Sequence, residues 1–473
     1  MKQVLIKNGF VVTMDPELGN IDGADVLIEG SRIAAVGKQL VAADAEQLDA
    51  DGMIVMPGFV DTHRHIWQGA LRGIAADWSI FNYLGGIRMN AATLFRPEDM
   101  YAAQYLGALE AINAGVTTVA DYCHNLNSPD HAFEAIRGLQ DAGLRSVWCY
   151  GFNAPPMPSQ VFSTVDERIR FGRELARDLF SSSDALLSFG VAPEEAPLWL
   201  DDQAGASQFA FAREVGARIF WHCNATNHAD GQPGDMMRIQ RLGLAGDDMV
   251  LVHMNCASPV EWQQVADCGA WISCTPDTEM QMGMGAPVTV TAREAGISPT
   301  FGTDITSNNS ADMFTTLRIA LQVAREQLNR PRQGEFYDGV PIRCDEALDW
   351  GTRAGAAALG LEGRIGSLVP GKQADIVLLN TRSVTLAGWD RSNPAATIIQ
   401  QASTADVDTV LVAGRVRKRH GKLCSDVAGA CRLLESSAEF IAERAREHGG
   451  FYISPEETLR RMGIEAPSKI QEL

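Results

Sequence analysis

Apolar and polar positions alternate in strand fashion over residues 1–55, punctuated by turn dipeptides at Asn8-Gly9, Glu29-Gly30 and Asp51-Gly52. The same alternation returns over residues 365–422, from Ile376-Val377-Leu378-Leu379 to Val407-Asp408-Thr409-Val410-Leu411-Val412-Ala413-Gly414. Neither piece can bury both of its faces alone, so the two predict one small composite β-sandwich domain. Residues 56–364 follow a different rule. Short, mainly apolar runs alternate there with helix-like stretches, which predicts an α/β fold, a distorted TIM-type (β/α)8 barrel. Residues 423–473 predict a C-terminal helical extension. Leu433, Leu434, Phe440 and Ile441 recur at helical spacing, and Ser454-Pro455 with Glu457 marks a second helix start. That tail is expected to cover either a neighbouring subunit or the chain's own barrel.

Several of the barrel runs end in residues that bind metals. Pro57-Gly58-Phe59-Val60-Asp61-Thr62-His63-Arg64-His65 closes on two histidines one residue apart, which a strand turns to the same face. Two imidazoles there form a ready divalent-metal clamp. The runs 217–222 and 248–253 end in His222 and His253, and the run 299–304 ends in Asp304. Any one of these histidines reads as a hydrogen-bonded core residue. Four strand-end coincidences point instead to a shared site, because barrel strands deliver catalytic groups at their C-terminal ends.

Residues 1–422 resemble the amidohydrolase superfamily, in the branch of cytosine, guanine and chlorotriazine hydrolases. The resemblance rests on the run 57–65, on Gly302-Thr303-Asp304 followed by Ser307-Asn308-Asn309-Ser310-Ala311-Asp312-Met313-Phe314, and on Ile365-Gly366-Ser367-Leu368-Val369-Pro370-Gly371-Lys372-Gln373-Ala374-Asp375-Ile376-Val377. It implies that His63, His65, His222 and Asp304 bind one Zn2+ or Fe2+ ion per chain. It also implies that Asp304 moves protons and that His253 stabilises charge at the attacked atom. No lysine lies between His65 and His222, so a carbamylated-lysine binuclear centre is not favoured.

Two departures from the family pattern stand out. Deaminases of this branch usually carry a glutamate three residues after the strand-five histidine, whereas His222-Cys223-Asn224-Ala225 has alanine there. The stretch 273–283 brings Asp277, Glu279 and Gln281 in place of the usual sequence. Glu279 or Asp277 then replaces the missing proton shuttle, or the stretch is a solvated acidic loop. Glu194 and Glu195, at the end of a fourth strand, are candidates to touch substrate or bridge a second metal. His124 is a candidate to line the pocket. Trp67 and Gln68 are expected at the cavity mouth as substrate-binding residues, with Trp78, Phe81 and Tyr83 extending the wall.

The formal charge of −19 disfavours nucleic acid and anionic membrane surfaces as partners. Nine cysteines without a C-x-x-C pair read as free thiols in a reducing compartment, and no apolar run is long enough to span a membrane. A cytoplasmic enzyme acting on a small molecule is therefore expected, and the resemblance adds a homodimer or higher homo-oligomer. Its expected reaction is metal-dependent hydrolysis of a C–N bond, by deamination of a heterocycle or by cleavage of an amide, urea or lactam. Displacement of a chloro or thio group is the alternative, and a non-catalytic structural homologue a further one.

Overall fold

The computed structural model describes residues 3–152, 164–182, 184–227 and 234–461. Eight strands form the barrel: β1 (Phe59–Arg64), β2 (Val116–Cys123), β3 (Arg145–Gly151), β4 (Leu187–Ala192), β5 (Arg218–Cys223), β6 (Met249–His253), β7 (Trp271–Cys274) and β8 (Pro299–Phe301). They pair in chain order, and every pairing is parallel. Most are buried on both faces, as strands walled by helices must be. Val60, Tyr122, Val147, Phe220 and Val250 fill the interior, which Leu359, Leu361 and Ile365 close at one end. Outward-facing Phe59, Val119, Trp148, Ile219 and Leu251 pack in the large core shared with the helices.

The first and last strands meet at the opposite end. Asp304 donates its amide to the His63 carbonyl at 2.9 Å, and His65 donates to the Asp304 carbonyl at 2.8 Å. Gly302 permits this approach, because a Cβ there would lie 2.3 Å from the His63 carbonyl oxygen.

The terminal pieces form one mixed sheet of nine strands. Strand Ile376–Asn380 runs antiparallel to Met53–Pro57 and joins the two pieces. Strand Gln3–Val12 forks, pairing first with Glu46–Asp49 and then with Met53–Pro57. The sheet thereby wraps a core of its own, with Val4, Ile6, Val26, Ile28, Ile376 and Leu411 inside. A buried ion pair, Arg145 to Asp375 at 2.6 and 3.1 Å, ties it to the barrel.

The tail covers the chain's own barrel. Helix Val427–Glu447 lies on helix Pro97–Asn113, with the Arg96 guanidinium 3.6 Å over the Phe440 ring. Ser454 caps the final described helix, Pro455–Arg461, by accepting the Glu457 amide at 3.3 Å. That helix packs on residues 80–88, where Thr458 fills the space beside Gly85. The remainder of the expected extension, 462–473, lies outside the described residues. Among the described residues no helix is long and apolar enough to cross a membrane.

Candidate metal centre and active site

His63, His65, His222, His253 and Asp304 converge at the C-terminal rim of the barrel. The His63 Nε2 lies 3.2 Å from Asp304 Oδ1 and 3.3 Å from His222 Nε2, and His65 Nε2 lies 3.5 Å from the same carboxylate oxygen. Donor atoms of His63, His65 and Asp304, and those of His63, His222 and His253, each fall within 4.8 Å of one another.

The chemistry of the donors tests whether an ion fits. His65 donates Nδ1–H to the Tyr122 carbonyl at 2.8 Å, and His222 donates Nδ1–H to Glu195 at 2.7 Å. Both tautomers therefore turn an Nε2 lone pair into the cluster, as ligating histidines do. Burial pushes His63 down, His65 well down and His222 down to about 4, so all three are neutral near pH 7. Burial works against an ionised Asp304, but the His63 hydrogen bond and the neighbouring imidazoles hold its carboxyl well below the usual range. Imidazole nitrogens and a carboxylate that approach to 3.2–3.5 Å fit a divalent cation between them once His63 gives up the proton it shares with Asp304.

Backbone strain marks the same rim. His253, Met254 and Asp304 hold φ of 78°, 62° and 61°, and Asn224 holds 47°. Left-handed φ at residues other than glycine costs energy, and such positions cluster at functional sites. Pairing across strands holds them, as where Met254 donates to the Cys223 carbonyl at 3.0 Å.

Partners behind these side chains keep them oriented. Asp61 accepts the His63 and Thr303 amides at 3.2 Å and the Thr303 hydroxyl at 2.6 Å. Glu195 accepts from both His222 and Arg88, the latter at 3.1 Å. Burial opposes ionisation of Glu195, yet the Arg88 charge and the His222 hydrogen bond carry it far below the usual carboxylate range. Its neighbour Glu194 is pushed well up by burial and by Glu195 itself.

A cavity opens over the cluster. Ile80, Tyr83, Leu84 and Arg88 form one wall, Pro197 and Leu198 a second, and Thr278, Met282, Met284 and Ile305 a third. Ala225, Thr226 and Asp235 complete it beside His222. Glu195 reaches this cavity, whereas Glu194 stays behind it, with its backbone carbonyl accepting the Trp199 and Trp221 indoles.

The other expected substrate contacts sit elsewhere. Trp67 and Gln68 are not at the mouth, because the chain after His65 winds into a wholly buried 3-10 turn, Ile66–Leu71. Trp67 donates to His124 Nδ1 at 3.1 Å, which places His124 in that layer too. Gln68 donates to the Tyr83 hydroxyl at 2.7 Å and so steadies a wall residue from behind. Phe81 points outward, and Trp78 packs against Tyr452.

Glu279 is fully buried and off the cavity wall. It accepts the Thr275 amide at 2.7 Å and faces His253 Nδ1 at 3.4 Å, beside the Thr275 hydroxyl at 3.1 Å. Asp277 accepts the Thr316 hydroxyl at 3.0 Å. The acidic stretch is thus a short packed helix, Pro276–Gln281, and not a solvated loop. Arg88, Asp235 and Met284 escape sequence reasoning, since none ends a strand or belongs to a motif, whereas Thr278 lies within the stretch 273–283 without a signal of its own.

The amidohydrolase family profile matches residues 54–417. The 5'-deoxyadenosine deaminase of Methanothermobacter thermautotrophicus is 27% identical over 427 residues, covering 88% of this chain and 95% of that protein. The 5-methylthioadenosine/S-adenosylhomocysteine deaminase of Symbiobacterium thermophilum is 28% identical over 428 residues, covering 88% and 93%. Among solved structures, an adenosine deaminase from Xanthomonas campestris with bound zinc superposes with a TM-score of 0.82 at 23% identity, covering 93% of this chain and 98% of that one. The zinc complex of atrazine chlorohydrolase from Arthrobacter aurescens TC1 gives 0.80 at 23%, covering 93% and 100%. The chain belongs to the amidohydrolase family and is a hydrolase of carbon–nitrogen bonds other than peptide bonds.

Proposed function

We propose that this chain deaminates an amino-substituted nitrogen heterocycle, with adenine nucleosides altered at the 5' position as the leading substrate class. One observation carries the reading: His63, His65, His222 and Asp304 converge beneath a cavity whose walls are mainly apolar. Such a shape suits a flat ring with its reacting edge turned to the floor. The printed activities of the 27–28% identical relatives support the nucleoside class.

The three histidines and Asp304 would hold one zinc or iron ion. When bound, such an ion lowers the pKa of a water ligand towards neutrality. Asp304, ionised, accepts the proton of the attacking water and passes it to the departing amine. His253, oriented by Thr275 and Glu279, donates from its free edge to the charge that develops on the substrate. Glu195 keeps His222 in the ligating tautomer, and Arg88 keeps Glu195 in place. Glu279 acts through His253 as a positioning residue.

Ala225 on the cavity wall favours a second reading, in which a good leaving group such as chloride departs from the ring without acid help. The two separate in one assay. Protein loaded with zinc is given 5'-deoxyadenosine, 5'-methylthioadenosine, adenosine and a chlorinated purine nucleoside, and ammonia and chloride are followed. Ammonia from the amino substrates supports deamination. Chloride release without ammonia from any of them refutes it.

A further inference from the structure

The cavity wall formed by residues 80–88 offers hydrogen-bond donors that the protein leaves unspent. Gln68 is wholly buried and held at both ends of its amide. Its Oε1 accepts the Ser307 hydroxyl at 2.7 Å, so its Nε2 faces Tyr83 and donates to the phenolic oxygen at 2.7 Å. Tyr83 therefore keeps its own O–H for another partner, and among the described residues that O–H has no acceptor. Burial pushes the phenol well up, so the group stays a donor at any working pH. Asp304 and Glu195 lie near enough to raise it further, against Arg88, which sets the hydroxyl close to the cavity floor.

Arg88 follows on the next turn of the same stretch and spends Nη1 on Glu195 at 3.1 Å. Its Nε and Nη2 have no acceptor among the described residues and are not sealed off. Both side chains line the cavity among mainly apolar neighbours such as Leu84, Leu198, Met282 and Ile305. Water can satisfy these donors while the cavity is open. A flat ligand expels it, and a donor then left without an acceptor weakens binding. A ligand with lone pairs on the facing edge escapes that penalty. Polar groups placed this way discriminate far more sharply than the fit of a ring against apolar walls.

We propose that Tyr83 is a specificity-determining residue: its hydroxyl, with Arg88 beside it, donates to a lone pair on the heterocycle outside the reacting C–N unit. The acceptor is a ring nitrogen or a ring carbonyl oxygen. The proposal rests on the deamination reading above and narrows the substrate class to amino-substituted rings that carry such an acceptor on the edge facing Tyr83 and Arg88.

Tyr83→Phe removes the O–H and keeps the ring. Parent and variant, both loaded with zinc, are given two matched pairs, and kcat/KM is read from ammonia release. One pair is 5'-deoxyadenosine and its 7-deaza analogue, which lacks a ring nitrogen. The other is guanine and 2-aminopurine, which lacks the carbonyl oxygen. An analogue too slow to turn over is measured as a competitive inhibitor of its partner. Tyr83→Phe combined with Gln68→Met, which leaves no amide unpaired, serves if the single variant fails to fold.

We expect the parent to prefer the acceptor-bearing member of one pair by at least about tenfold. The variant should shrink that preference at least about fivefold with metal content unchanged, and the pair that responds identifies the acceptor as nitrogen or oxygen. A smaller change in both pairs, or a parent without preference in either, overturns the proposal and leaves deamination standing. A parent that releases no ammonia from any aminated ring overturns the deamination reading itself, and this proposal with it.

Discussion

Asp304 bonds His63 twice, by its amide to the His63 carbonyl at 2.9 Å and by its carboxylate 3.2 Å from the His63 imidazole. The contact that closes the barrel seam is therefore also the heart of the candidate metal centre. Fold and site share one set of atoms, so damage to the seam should register as loss of metal.

Gly302→Ala tests this coupling. The new methyl group would lie 2.3 Å from the His63 carbonyl and must push the seam apart. We expect a loss of about 1–3 kcal/mol in stability, the usual range for overpacking. Metal per chain should fall in parallel. Thermal unfolding with elemental analysis checks both, and a destabilised protein that keeps full metal occupancy would uncouple seam from centre.

Glu195→Gln removes the charge that both His222 and Arg88 address. Partners behind a ligand typically contribute 10–100-fold in metal affinity, and we expect a weakening of about that size. Competition against a chelator measures it. Affinity within about twofold of the parent would show that Glu195 does not orient His222 towards a metal.

Lys418 joins the sheet to the barrel by donating to the Asn113 carbonyl at 2.8 Å. Burial depresses its pKa to about 8 from the ordinary 10.5, with Asp408 opposing. Between those values the unfolded chain binds more protons than the native one, so stability rises with pH. The contribution is present above about pH 10.5 and lost as pH falls through about 8. Lys418→Met removes this dependence. The melting temperature of the parent minus that of the variant should grow from pH 7 to pH 10, and a flat or shrinking difference would contradict the assignment.

The tail braces a cavity wall. Asn90 donates to the Gly450 and Phe451 carbonyls at 2.9 and 3.1 Å, and Tyr452 packs against Trp78. The braced segment carries Tyr83 and Arg88. A chain ended at His448 should keep its far-ultraviolet circular dichroism and its metal. Its KM should rise at least about tenfold, since small misplacements at a site are costly. An unchanged KM would reduce the tail to a passive cover.

Much of this centre was legible because barrel strands are apolar throughout, and a polar residue closing such a run is conspicuous. His63, His65, His222, His253 and Asp304 all announce themselves that way, and the structure brings them together. Arg88 gave no such signal, because its segment is a π-helical turn without periodicity. Asp235 reads in sequence as an ordinary acid at a helix start, and only the fold sets it beside Ala225. Trp67 and Gln68 follow the histidine pair so closely that the mouth is the natural expectation, yet the buried turn after His65 carries them into the core. The positive φ of His253 and Asp304 comes from tertiary pairing across strands, which no local pattern encodes.

Metal per chain, by elemental analysis on protein purified without chelator, tests the central claim most directly. We expect close to one zinc or iron per parent chain and a marked loss in Asp304→Asn. A parent chain that stays empty when metal is supplied, or an Asp304→Asn variant that holds metal as tightly as the parent, would contradict a centre built on His63, His65, His222 and Asp304.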